Sequence, residues 1–138
     1  MGYRFSHVAV TVGREMFVGA AREQLLLFYG DVFGWQENAG LAIPGERILL
    51  RAPTDIQYVT IRAADAPMVT SGYEHLGILV ETEAELHEIH QRAAAFTSRF
   101  PDLQLDPVKT GYGGALVSFR CRFRLPLTME VQHLKRSS

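Results

Sequence analysis

The sequence predicts an α+β fold made of two βαβββ modules, and three observations carry that expectation. The chain repeats itself: Phe5–Val12 (FSHVAVTV) and Tyr73–Val80 (YEHLGILV) each place an aromatic two residues before a histidine, then alternate apolar residues up to a valine. The two histidines, His7 and His75, stand about half the chain apart. Each copy leads into a stretch with helical periodicity, and each such stretch is followed by short strand-like runs separated by turn residues. A length of 138 residues suits one domain, or two half-size modules sharing a core.

In the first module the strand Phe5–Val12 precedes a helix in AAREQLLLFYGDVFGW, where Ala21, Leu25, Phe28, Tyr29 and Val32 recur at steps of three and four. Gly34 supplies the stop, because glycine adopts the left-handed conformation at a helix end without a Cβ clash. Trp35 then closes the corner between helix and strand. Strands are expected over Gln36–Ile43, Arg47–Ala52 and Ile56–Ala63, punctuated by Pro44-Gly45 and Pro53-Thr54-Asp55. In the second module Thr82 with Glu85 has the spacing of a capping box, and Leu86, Ile89, Ala93 and Phe96 form the stripe to be buried. Strands are expected over 103–110, 116–125 and 127–134, with Gly111, Gly113 and Gly114 in one turn. The modules run over about 1–64 and 72–138, and the Ala-, Asp-, Pro- and Ser-containing stretch around 65–71 links them.

Composition narrows the function classes. The chain is 47% hydrophobic and 21% charged, which is ordinary for a soluble globular protein. A net charge of -1 provides no basic field for nucleic acid and no strong attraction to a membrane surface. No apolar run approaches the roughly 20 residues that span a bilayer. The start MGYRFSHVAVTV has no basic segment leading into an apolar one, and the single Cys121 excludes an internal disulfide framework, so the expected compartment is the cytoplasm.

Strand alternation sorts the polar residues. Val8, Val10 and Val12 share one face of the first strand, opposite His7, Ala9 and Thr11. Leu76, Ile78 and Val80 likewise oppose His75 and Gly77, and Leu127, Met129 and Val131 oppose Thr128, Glu130 and Gln132. If the apolar faces pack on the helices, both histidines and Glu130 turn the other way. A lone strand histidine is ordinarily core or surface. Two at matching places in a repeat, with a carboxylate in the last strand, form a set that a divalent iron, manganese, zinc or nickel ion accepts with positions left open for substrate.

The pieces FSHVAVTV, LLLFYGDVFGW, YEHLGILVET and LTMEVQHL, in this order and spacing, resemble the vicinal oxygen chelate superfamily, the glyoxalase, bleomycin resistance and dioxygenase group. The resemblance covers nearly the whole chain and implies a curved mixed sheet with a concave active-site face, helices outside, and a divalent metal ion (Fe, Mn, Ni, Zn or Co) held by the first and last strands of each module. It assigns His7, His75 and Glu130 as ligands. Matching Ile56-Gln57-Tyr58 to Met129-Glu130-Val131 adds Gln57, with Tyr58 at a one-residue slip. The Asp-Pro-x-Gly turn of many members is replaced here by FRLPLTMEV, and glutamine stands where glyoxalase-like members have glutamate. Glutamine can ligate through its carbonyl oxygen but cannot take up a proton. If a proton is moved, the expected base is Glu130 or a second carboxylate that the sequence does not identify.

Other features compete for a role. In SFRCRFRL, Arg120, Arg122 and Arg124 alternate with Phe119, Cys121, Phe123 and Leu125, and Arg47 and Arg51 alternate similarly in the first module. Guanidinium groups suit anionic substrate oxygens, which nominates Arg122 and Arg120; a solvated, salt-bridged row is the competing reading. Tyr58 and Tyr112 are further acid/base candidates. The run HEIH spaces His87 and His90 three apart rather than four, on the polar helix face, which reads as solvated surface. Cys121 reads as core packing, and GYGG as a turn without the context of a phosphate loop. The functional expectation is a metal-dependent isomerase, epimerase, lyase or ring-cleaving dioxygenase acting on a small, anionic substrate with vicinal oxygens. The alternative is a metal-free small-molecule binding protein of the drug-sequestering type. A homodimer is the assembly the resemblance implies.

Overall fold

The computed structural model describes residues 2–54 and 56–136. Asp55, the last residue of the expected Pro53-Thr54-Asp55 turn, lies outside them. The chain divides into two compact units, Met1–Val69 and Thr70–Ser138, at a point inside the stretch read as a linker. The class is α+β, with mixed sheets that do not close into a barrel. Among the described residues no helix is long and apolar enough to cross a membrane.

The first unit runs β1 (His7–Val12), α1 (Gly19–Phe33), β2 (Gln36–Glu37), β3 (Arg47–Arg51) and β4 (Tyr58–Ala63), with strand order β1-β4-β3-β2. The first and last strands lie side by side and parallel, so the intervening helix and hairpin form the crossover that a parallel pair needs. Val10, Val12, Ile48, Leu50, Val59 and Ile61 are buried, and so are Leu25, Phe28, Tyr29 and Val32 of α1. Gly34 caps α1 in the left-handed region, at φ 71°, and its N–H donates to the Gly30 carbonyl. That cap turns the chain so that Trp35 stacks on Tyr29 at 5.2 Å and meets Phe33 at 5.2 Å.

The second unit runs β5 (His75–Leu79), α2 (Glu83–Ala94), β6 (Gln104–Leu105), β7 (Lys109–Gly111), β8 (Leu116–Arg122) and β9 (Thr128–Leu134). Its order is β5-β9-β8-β6, with β7 also on β8, and again the first and last strands, β5 and β9, are parallel neighbours. Both parts of the capping box form: the Glu85 N–H donates to Thr82 Oγ1 at 3.1 Å, and the Thr82 N–H donates to Glu85 Oε2 at 3.3 Å. Replacing Thr82 by alanine should lower stability by about 0.5–2 kcal/mol, read by chemical denaturation. Leu86, Ala93 and Phe96 are buried along the helix.

Several strands are shorter than their periodicity implies. Gln36–Ile43 reduces to two residues because Ala39–Leu41 winds into a 3-10 turn, with the Leu41 N–H on the Asn38 carbonyl. The 103–110 run splits in two at Asp106-Pro107, where proline has no N–H to give a ladder. The 116–125 run ends at Arg122, because Arg124 takes a left-handed φ of 59° and the Leu125 N–H turns back onto the Phe123 carbonyl.

Candidate functional site

The pleat of the second sheet decides what surrounds Glu130. Met129 and Val131 are fully buried, so Glu130 between them points to the opposite face, where it is nevertheless only 7% exposed. The register sets its neighbours: Gly77 of β5 lies opposite it on one side, and Arg120 of β8 on the other. Gly77 adds no side chain, and a Cβ there would meet nothing closer than Gln132 Oε1 at 4.0 Å, so the space over Glu130 is left free on that side. His75, two residues before Gly77, returns to the same face.

Three side chains converge on the Glu130 carboxylate. Arg120 Nε donates to Oε2 at 2.9 Å, Gln132 Nε2 donates to Oε1 at 2.7 Å, and His75 Nε2 lies 3.2 Å from Oε2. The imidazole is oriented from behind, with Nδ1 2.7 Å from the Tyr73 carbonyl. A carbonyl only accepts, so Nδ1 carries a proton, which leaves Nε2 as the ring atom that faces Oε2. Both donors belong to the types a divalent transition metal takes, and a 3.2 Å separation suits bonds of about 2.0–2.2 Å to one shared ion. The carbonyl behind the ring is the outer partner that metal-ligating histidines ordinarily have. The residues present therefore fit a metal. Among the described residues, however, no three His, Cys, Asp or Glu side chains converge to hold one.

The turn behind His75 is itself pinned. Glu74 Oε2 accepts from the Ser71 N–H at 2.9 Å and from the Ser71 hydroxyl at 2.8 Å. The Glu74 carboxyl is held below its ordinary value by its own backbone N–H and then by the Ser71 hydroxyl. Tyr73 meets His75 edge-on at 5.5 Å, and the Arg120 guanidinium lies 5.6 Å from the Tyr73 ring centroid.

In the first unit, His7 is exposed and stacks on Tyr58 with ring centroids 4.7 Å apart, while Ser6 Oγ lies 2.7 Å from its Nδ1. Here the register overturns an expectation. His7 lies opposite Tyr58 as His75 lies opposite Thr128, so the counterpart of the Gly77–Glu130 pair is Ala9–Thr60. Thr60, not Gln57, occupies the place of Glu130. Gln57 precedes β4 and is tied locally, donating to the Phe5 carbonyl at 3.4 Å and accepting from Thr54 at 3.2 Å. Matching short sequences slipped by three residues because β4 begins later than its periodicity implies.

The arginine row also breaks. Arg120 and Arg122 share the face of Glu130, and Arg122 Nη1 comes within 3.8 Å of the Cβ position of Gly72. Arg124 leaves the row at its left-handed turn, donates to Asp102 at 2.9 Å and lies over the Phe123 ring at 4.5 Å. Arg47 donates to the Leu41 carbonyl, and Arg51 is exposed. His87 is exposed, but His90 is not the solvated residue the pattern implied: its Nε2 lies 2.9 Å from the Asp106 carbonyl, and its ring meets Phe119 edge-on at 4.8 Å. Tyr112 is exposed.

Cys121 is buried, and burial pushes its thiol up to about 12. At neutral pH it should stay protonated and resist a thiol reagent in the folded protein, reacting only once denaturant is added; a disulfide-exchange chromophore reads both states. Sequence reasoning missed Gln132 and the Tyr73 carbonyl as members of this cluster. Alternation along β9 does place Gln132 on the face of Glu130, and that signal was available.

No family model matches this sequence, and no curated protein sequence does either. Solved structures do. The fosfomycin resistance protein FosX from Listeria monocytogenes superposes with a TM-score of 0.68 at 16% identity, over 98% of this chain and 96% of that one. Lactoylglutathione lyase from Agrobacterium tumefaciens superposes with a TM-score of 0.62 at 18% identity, over 96% and 95%. The chain has the vicinal oxygen chelate fold. Within that fold, a glutamate-to-glutamine mutant of the Listeria protein, in complex with Mn(II) and 1S,2S-dihydroxypropylphosphonic acid, superposes with a TM-score of 0.66 at 15% identity, over 95% and 90%. Identities this low establish the vicinal oxygen chelate architecture and leave activity to be argued from the residues.

Proposed function

We propose that this chain is a divalent-metal-dependent enzyme acting on a small substrate with adjacent oxygen atoms and an anionic group. The observation that carries the proposal is the apposition of His75 Nε2 and the Glu130 carboxylate at 3.2 Å, with the ring fixed from behind by a backbone carbonyl. A structure of this fold in complex with Mn(II) and a phosphonate diol supports the same class of ligand. His75 and Glu130 would hold the metal; Gln57 is not included. When bound, such an ion supplies Lewis-acid stabilisation of charge developing on substrate oxygens. Gln132 keeps one carboxylate oxygen of Glu130 occupied and so fixes the direction of the other. Arg120, and Arg122 beside it, supply guanidinium groups for the anionic end of the substrate. Isomerisation, epimerisation and addition to the substrate all require a base, and Glu130 is the carboxylate on this face of β9. The homodimer remains the proposed assembly.

A second reading has its own observation. Arg120 already gives Glu130 a positive partner, so a metal-free binding protein is electrostatically self-consistent. Elemental analysis decides between them. Protein purified without an affinity tag and offered Mn(II), Fe(II), Ni(II) or Zn(II) should retain close to one ion per chain, and His75→Ala should lose it. Failure of the native chain to retain any of these ions would leave the binding protein as the surviving reading.

A further inference from the structure

We propose that Arg120 is a displaceable internal counter-cation of Glu130. It competes with the divalent cation for Oε2, so that metal and anionic ligand bind cooperatively. The proposal rests on the metal-dependent reading above and adds to it a coupling that reading does not require.

The geometry makes sharing unavoidable. Glu130 Oε1 accepts from Gln132 at 2.7 Å, and Oε2 is the oxygen that faces His75, at 3.2 Å, and so the one a cation held also by His75 would meet. That same Oε2 accepts from Arg120 Nε at 2.9 Å. A guanidinium and a divalent ion on one carboxylate oxygen repel each other in a setting only slightly exposed to water, where screening is weak. Arg120 has the means to leave. Among the described residues its hydrogen bond to Glu130 is made through Nε, its guanidinium carbon lies 5.6 Å from the centroid of the exposed Tyr73 ring, and its side chain is 29% exposed. A permanent buttress would be expected to use the two-pronged bond that arginine and carboxylate form when the pair is structural.

Displacement gives the guanidinium a second use. Released from Oε2, its N–H groups are free to take an anion at the mouth of the same face, and Arg122 stands on that face too. An anion that captures Arg120 removes the competitor of the metal and tightens metal binding. By linkage, the metal tightens anion binding by the same factor. The carboxylate exchanges one positive partner for another, and the freed guanidinium finds its own anion.

The test is titration of the native chain and of Arg120→Gln with Mn(II), with free Mn(II) read by its electron paramagnetic resonance signal, in the absence and presence of methylphosphonate. Native protein should bind Mn(II) roughly 5- to 150-fold more tightly with methylphosphonate present. Arg120→Gln should bind Mn(II) more tightly than native without the anion, by a factor in the same range, and should show no further gain on adding it. Circular dichroism establishes that the variant is folded, and the anion effect on the native chain is informative without any variant. Mn(II) affinity that Arg120→Gln leaves unchanged or lowers would overturn the competition, as would methylphosphonate coupling that persists in the variant or is absent from the native chain. Absence of Mn(II) binding by native protein is a different result, since it overturns the metal-dependent reading itself.

Discussion

Glu130→Gln is expected to lose divalent-cation affinity by more than the roughly 10- to 100-fold that removal of an outer partner of a metal ligand costs, while keeping the fold. Glutamine preserves the length and shape of the side chain. Its amide oxygen can still accept from Arg120 Nε, and a flipped Gln132 can offer its own oxygen to the new amide N–H. What disappears is the negative charge facing His75 Nε2, and with it the reason for a cation to sit there. Isothermal titration with Mn(II) reads the loss. Thermal denaturation without metal separates it from unfolding, because Glu130→Gln should fall well short of Glu130→Ala, which leaves Arg120 facing a cavity. A Glu130→Gln protein that binds Mn(II) as the native chain does would remove Glu130 from the site.

The largest effect on stability is expected at Phe119, where truncation to alanine should cost about 3–5 kcal/mol. Phe119 is fully buried at the centre of β8, opposite Val131 of β9. Its ring also carries the edge of His90 from α2, so it joins sheet to helix. Truncation leaves a cavity whose walls belong to two rigid elements and cannot collapse freely. The same residue determines which way β8 faces. With Phe119 and Cys121 turned inward, Arg120 must lie on the other face beside Glu130. Urea denaturation followed by far-ultraviolet circular dichroism reads the cost. A Phe119→Leu variant, which keeps most of the volume, should lose much less. Equal losses for both would mean that the cavity is not the cause.

The elements that were legible in the sequence are those with local causes. The Thr82–Glu85 box, the Gly34 stop and the alternation around His7, His75 and Glu130 each depend on residues within a few positions of one another, and each has a structural counterpart. Strand lengths were less legible. A run such as Gln36–Ile43 can satisfy alternation yet turn at Ala39–Leu41, because a strand survives only as far as a partner is present to take its hydrogen bonds. Gln57 failed as the equivalent of Glu130 for the same reason: equivalence between strands is a matter of register, and the ladder pairs Ala9 with Thr60. His90 was misplaced because a helix face that is polar in sequence can still lie against a sheet where one ring and one carbonyl receive it.

By itself the sequence determined the two-module order, the class of the fold and the strand face on which His75 and Glu130 stand, because periodicity and repetition are properties of the chain read along its length. Only the tertiary structure decided what touches Glu130. Arg120, ten residues before it, and His75, far earlier in the chain, reach one carboxylate oxygen because β8 and β9 pair antiparallel and β5 and β9 pair parallel at one particular register. A shift of one residue in the β8–β9 ladder would turn Arg120 away from Glu130 and carry Phe119 and Cys121 out of the core, so the register is held by packing that the strand alone does not supply.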